Sequence, residues 1–337
     1  MADVAAERLP EALAAALEER LAALAADDVP ERLWEADPSL WKPDDEAHQK
    51  VIANALGWLS VFEGVRDQVE GLSEFVAELR AEGYRSAVLL GMGGSSLAPE
   101  VLRAVLGTAP GYLELHVLDS TDPAAVAAVE AAVDLETTLF IVASKSGGTT
   151  ETASFHSYFH ERLLELDGAH AGHHFVAITD EGTSLERQAL EQGFRAVFIN
   201  PGDIGGRYSA LSFFGLVPAA LIGVDLGRLL DGVRAMAVAC GPDVPGAENP
   251  ALRLGAALGE LARHGRDKLT LLCEPPLAAF GAWVEQLVAE STGKEATGIL
   301  PVDLEELGPP GVYGDDRVFA ALRLAGGPAP RAGALAA

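Results

Sequence analysis

Between residues 86 and 200 one pattern occurs five times: a short apolar run ends in Gly, Ser, Asp or Asn, and a longer stretch with helical spacing follows. The runs are "SAVLLGMGG" at 86–94, "LELHVLDS" at 113–120, "TLFIVASKS" at 138–146, "HFVAITD" at 174–180 and "RAVFIN" at 195–200. "LAPEVLRAVLG" and "TETASFHSYFHERLLEL" are two of the stretches between them. This alternation is the signature of right-handed βαβ units on a parallel sheet. Ligands of such sheets bind at the carboxyl ends of the strands, where the polar loops fall.

The flanking segments are less regular. Leu9, Leu13, Leu17, Leu21 and Leu24 recur at helical spacing over residues 7–26, which predicts an amphipathic helix packed on a neighbour or a partner chain. "DPSLWKPDD" at 37–45 carries two prolines and reads as a linker, after which "HQKVIANALGWLSVFEGV" and "LSEFVAELRAEGY" resume helical periodicity. Beyond "NPGDIGGRYSALSFFGL", "DKLTLLCEP" at 267–275, "GILPV" and "RVFAALRL" are strand candidates, and "AFGAWVEQLVAES" at 280–291 is a helix candidate. The final "AGGPAPRAGALAA" is low-complexity and expected to be disordered. The division expected is a helical extension and linker at 1–45, a first α/β domain at 46–205, a second at 206–325 and a tail at 326–337.

Composition narrows the partners. With 50 acidic against 24 basic residues the formal net charge is −26, so the surface repels nucleic acid and anionic membranes. An anionic substrate then needs a local pocket that overrides this field. No apolar run approaches the ~20 residues that span a bilayer. The N-terminus lacks the basic start and apolar stretch of a secretory signal. Cys240 and Cys273 do not make a disulfide framework, and the location expected is cytoplasmic.

Four loops could carry chemistry. "GMGGSSLAPE" at 91–100 joins a strand to a helix, and Ser95 and Ser96 add donors at the helix N-terminus. Its Gly91-x-Gly93 start resembles a dinucleotide fingerprint with Asp119 as the ribose ligand, but Ser96 stands where the third glycine belongs. A tight turn with an N-cap serine is the alternative. In "ASKSGGTTET" at 143–152, Ser144, Ser146, Thr149 and Thr150 offer hydroxyls, Gly147 and Gly148 offer backbone amides, and a helix begins near Thr150. This compact, hydroxyl-rich set suits a phosphate monoester, with Lys145 as a point charge for the phosphate or a reacting oxygen.

The third loop, "GDIGGRYSALS" at 202–212, holds Arg207 either as a pre-positioned guanidinium or as a structural ion-pair partner. In the fourth, "EQLVAESTGKE" at 285–295, Gln286 and Glu290 share one helix face. A partly desolvated Glu290 would serve as a general base, although a glutamate near a helix end, taken alone, is more often plain surface. "TGK" is not a Walker A tail, because Val288 occupies the place of its glycine. His156 and His160 lie four apart on a helix and could seat a metal, but no cysteine or carboxylate pattern completes a site, so a solvated face is expected.

Taken in order, "GMGGSSLAPE", "SKSGGTTET", "GGRYS" and "EQLVAESTGK" resemble the successive active-site segments of the phosphoglucose isomerase family. "LWKPDD", "VLDSTDPAAV" and "RDKLTLL" resemble in particular the isomerase half of bacterial transaldolase–phosphoglucose isomerase fusions. The resemblance implies two sugar-isomerase-type (SIS) three-layer αβα domains with parallel sheets, the second incomplete, plus the N-terminal helical segment. It implies a homodimer with the active site between domains. The reaction implied is interconversion of glucose 6-phosphate and fructose 6-phosphate, without metal or redox cofactor.

By the same resemblance Ser95, Ser144, Ser146 and Thr149 bind phosphate, and Lys145 lies near the sugar oxygens and phosphate. Gly206 and Arg207 stabilise an enediolate, Gln286 contacts substrate, and Glu290 moves the proton between C1 and C2. The residue types suit this independently, since proton abstraction beside a carbonyl needs a positioned base and a cation near the developing oxyanion. The family's later "QxGVExxK"-type segment, with its ring-opening histidine and lysine, is missing: the last histidine here is His264 and the last lysine Lys294. A non-catalytic sugar-phosphate-binding module is the competing expectation on that ground.

Overall fold

The computed structural model describes residues 9–325. They form two compact units, one of residues 54–231 and one of the described residues up to Ala53 together with those from Gly232. The tail at 326–337 and the first two residues of the predicted 7–26 helix lie outside the described residues.

The five apolar runs become the five strands of the 54–231 unit: β1 (Ser86–Gly91), β2 (Glu114–Leu118), β3 (Thr138–Ala143), β4 (Phe175–Asp180) and β5 (Ala196–Asn200). All pair in parallel, in the order β2-β1-β3-β4-β5. Every residue of β3 is buried, as is every residue of β1 after Ser86, so both faces of the sheet are covered. On one face Val88, Leu90, Phe140 and Val142 pack with Phe155, Phe159 and Leu163 of the Thr150–Asp167 helix and with Leu185 and Ala189 of the Ser184–Glu191 helix. On the other face lies the Phe213–Leu221 helix, buried from Phe214 to Leu221, with the Leu97–Leu106 and Val69–Glu82 helices against it. The unit is thus a three-layer αβα sandwich.

Its strand order reverses between β1 and β3, because the chain leaves β1 for β2 on one side and returns to β3 on the other. That reversal is the topological switch point, where doubly wound sheets open a crevice at the strands' carboxyl ends. Gly91 pairs in register with Ala143, so the loops after β1 and β3 emerge side by side.

The helical periodicity read across residues 48–65 is broken in the structure. A Glu46–Ala53 helix ends before a 3₁₀ turn at Gly57–Leu59 and a short Val61–Gly64 helix. Tertiary pairing overrides propensity here, since the Gly57 amide donates to the Asp203 carbonyl at 2.9 Å and a Cβ at Gly57 would overlap the Asp203 carboxylate.

In the other unit the predicted N-terminal helix spans Glu11–Ala26 and packs Leu17 and Leu21 on Ala256 and Ala257 of the Pro250–Arg263 helix. Burial of each leucine contributes about 1.5–3 kcal/mol. Ion pairs from Arg20 to Glu260 (2.9 Å) and from Arg253 to Glu18 (3.1 Å) flank the seam. A second parallel sheet has the order β7-β6-β8, with β6 at Lys268–Cys273, β7 at Leu300–Val302 and β8 at Arg317–Leu322. The Phe280–Thr292 helix covers β6 and β7. Fully buried Thr270 donates to Glu305, which holds Arg317 at 2.7 Å, so the polar groups of this sheet satisfy one another.

Candidate active site

The loop after β1 turns through a 3₁₀ segment, Gly93–Ser95, before the Leu97–Leu106 helix starts. Ser96 is fully buried, and its Oγ donates to the Gly93 carbonyl at 3.0 Å. Gly94 lies against the third loop, where an added Cβ would overlap the Gly206 carbonyl and stand 3.0 Å from the Arg207 amide nitrogen. Ser209 fastens the contact, its Oγ donating to the carbonyls of Gly206 (2.7 Å) and Gly94 (3.3 Å). The third loop is itself a 3₁₀ turn, Gly206–Leu211, steadied by stacking of Tyr208 on Trp58 with ring centroids 5.2 Å apart. Half-buried Arg207 is thereby carried on a backbone braced by the first loop.

The loop after β3 is pinned from both ends. The Ser144 amide donates to the Ile178 carbonyl at 3.0 Å, and Gly147 adopts φ +66° with no room for a side chain against Thr183 and Leu185. Glycine's freedom at positive φ is required at this turn. Ser184 Oγ donates to the Gly147 carbonyl at 2.7 Å. Buried Ser144 and half-buried Thr149 hydrogen-bond through their hydroxyls at 2.9 Å. Thr149 is the N-cap of the Thr150–Asp167 helix but makes no side-chain cap bond, because its hydroxyl is turned to Ser144. The first-turn amides of a helix lack intrahelical partners, so an anion held by these hydroxyls would meet amides and the positive end of the helix dipole. Ser146 is exposed at the mouth.

Lys145 runs toward the ends of β4 and β5. Its Nζ is ion-paired with Asp180 at the end of β4 and donates to the Gly202 carbonyl at 2.9 Å. Asp180 is the residue that sequence reasoning missed; the signal was the acid that closes "HFVAITD".

Gln286 and Glu290 belong to the other unit, where Gln286 Nε2 donates to Glu290 Oε1 at 3.2 Å. Lys294 Nζ donates to the Glu290 carbonyl at 2.7 Å. Glu290 is exposed, as a glutamate near a helix end most often is, and the Phe280–Thr292 helix fully buries only Gly281. In the same unit burial pushes the Cys273 thiol upward, with nearby Asp303 adding to the shift. Both cysteines are free thiols.

The expectation of a solvated histidine face is corrected. His156 is buried between Phe175 and Phe194, with ring centroids 5.1 and 5.3 Å away, because its side of the helix faces the layer of β4 and the Ser184–Glu191 helix. Burial, with His160 beside it, lowers its pKa to about 4. Among the described residues no three His, Cys, Asp or Glu side chains gather as metal ligands, and no helix is long and apolar enough to cross a membrane.

A doubly wound parallel sheet with glycine- and hydroxyl-rich loops at its switch point is the architecture of the sugar-isomerase class, and solved structures agree. The fold is similar to a hypothetical protein of Thermus thermophilus (TM-score 0.73, 26% identity, 93% of this chain and 74% of that one). It is also similar to a glucose-6-phosphate isomerase of Chlamydia trachomatis (TM-score 0.66, 26% identity, 88% and 60%). The family model for phosphoglucose isomerase matches residues 51–303. A glucose-6-phosphate isomerase of Thermosynechococcus vestitus is 36% identical over 267 residues, 78% of this chain and 49% of that protein. The chain belongs to the phosphoglucose isomerase family. It spans about half the length of the curated relatives it matches.

Proposed function

We propose that the chain is an aldose–ketose isomerase that interconverts glucose 6-phosphate and fructose 6-phosphate through an enediolate. The observation that carries the reading is the Ser144–Thr149 cradle at the switch point, in a chain of this family. Phosphate sits on the hydroxyls of Ser95, Ser144, Ser146 and Thr149 at the helix N-terminus. Lys145 serves the sugar oxygens and Gln286 holds the substrate. Glu290 takes the proton from C2 of the aldose and returns it to C1, while the proton of the C2 hydroxyl is exchanged for one on the C1 oxygen. Arg207 and the Gly206 amide stabilise the negative oxygen that develops between these transfers. A bound sugar would supply the desolvation that Glu290 lacks.

The reading includes a cytoplasmic homodimer and a place in glycolysis and gluconeogenesis; two free cysteines and an acidic surface accord with that location. Isomerisation in D2O tests the chemistry. The proton carried by Glu290 exchanges with solvent in a fraction of turnovers, so carbon-bound deuterium is expected to accumulate at C1 and C2 over repeated turnovers. Turnover without any carbon-bound label would overturn the enediolate route.

A further inference from the structure

Lys145 stands in the phosphate loop, yet its side chain leaves that loop. The ammonium meets Asp180 and finds a second anchor in the Gly202 carbonyl at 2.9 Å, on the turn that leads to Arg207. The backbone repeats the link: the Asp180 amide donates to the Lys145 carbonyl at 3.2 Å, and Thr179 Oγ1 donates to the same carbonyl at 3.4 Å. The pairing follows from register. Ala143 lies opposite Ile178 in the β3–β4 ladder, so Lys145 and Asp180 both stand two residues further along.

An ammonium has three donors, and two are taken by Asp180 and Gly202. Asp180 is largely buried. Its side chain is only 20% exposed, and its second oxygen, Oδ1, is buried with no hydrogen-bond partner. Removing the cation would leave a largely buried carboxylate unpaired, which is costly, so the pair holds together. We infer that Asp180 is a positioning residue: with the Gly202 carbonyl it draws Lys145 out of the phosphate cradle and aims its remaining N–H at the sugar portion of the substrate. Lys145 therefore discriminates a sugar phosphate from bare phosphate. This rests on the sugar-phosphate reading above.

The test compares Asp180→Asn with wild type in two measurements. Calorimetry is run with fructose 6-phosphate and, separately, inorganic phosphate. The variant is expected to bind fructose 6-phosphate about tenfold more weakly, with inorganic phosphate affinity within twofold of wild type. Lys145→Ala should show the same selective loss, and the double variant no more than Lys145→Ala alone. Competitive acylation of the free protein, read by peptide mass spectrometry against exposed Lys50, needs no ligand. Lys145, 33% exposed in its ion pair, should label several-fold faster in Asp180→Asn. Equal loss of both ligands, or an unchanged ligand preference with unchanged labelling, overturns the positioning role. Wild-type protein that binds no fructose 6-phosphate overturns the underlying reading and the inference with it, and labelling then reports only whether the clamp exists.

Discussion

Gly94→Ala tests how the first and third loops share one backbone. Gly94 does not need glycine for its φ, since it is not among the residues with positive φ, so the added methyl acts by volume alone. The new Cβ would overlap the Gly206 carbonyl oxygen and lie 2.5 Å from the carbonyl carbon, about 0.9 Å inside the 3.4 Å at which ordinary contact begins. Both partners are backbone, so neither can swing aside as a side-chain tip would. The two loops must separate by most of that distance, and Arg207, next in the chain, moves with Gly206. Overpacking of this kind costs about 1–3 kcal/mol of stability. A shift of about 1 Å in a group that meets developing charge costs on the order of 100-fold in rate. We therefore expect Gly94→Ala to remain folded, with a lower melting temperature, and to lose about 100-fold in kcat/KM. The assay is conversion of fructose 6-phosphate coupled to glucose-6-phosphate dehydrogenase. Gly71→Ala is the control, because a Cβ there meets nothing within 4 Å on the Val69–Glu82 helix. Activity of Gly94→Ala within twofold of wild type would refute the bracing argument.

Two further predictions concern the cradle and the buried histidine. Ser144→Ala and Thr149→Val each remove one member of the 2.9 Å hydroxyl pair and should weaken inorganic phosphate binding about tenfold by calorimetry, in line with ~1.5 kcal/mol for a charge-assisted hydrogen bond; unchanged affinity would remove the phosphate assignment. His156 is held neutral in the fold, with its pKa lowered from 6.5 to about 4, so the unfolded chain binds its proton first and stability falls as pH drops through that window. By pH 5 the loss from this one group is about 2 kcal/mol, and His156→Leu should remove that part of the slope in urea titrations between pH 7 and 5; equal slopes would contradict it.

Much of the fold was legible because a parallel strand buried on both faces must be a short apolar run, and β1, β3 and β4 are such runs. The site loops were legible because glycines and hydroxyls cluster directly after those runs, at the strand ends where ligands of parallel sheets bind. The Lys145–Asp180 pair was not legible, since it depends on the β3–β4 register, which local sequence does not encode. The Gly57–Asp203 contact that interrupts the helical periodicity is equally non-local. His156 misled because a histidine pair four apart reads only as a metal site or a solvated face, while its burial comes from Phe175 and Phe194 on other elements. The exposure of Glu290 was legible from its place near a helix end, whereas how little of the Phe280–Thr292 helix is covered was not.

The most direct measurement is the coupled assay on wild type and Glu290→Gln. The side chain keeps its size and loses its basicity, and removal of a general base lowers the rate by about 10²–10⁴-fold. Wild type should turn over fructose 6-phosphate steadily and Glu290→Gln should lose activity in that range, with fructose 6-phosphate still bound by both. Wild-type turnover no higher than that of Glu290→Gln would contradict this.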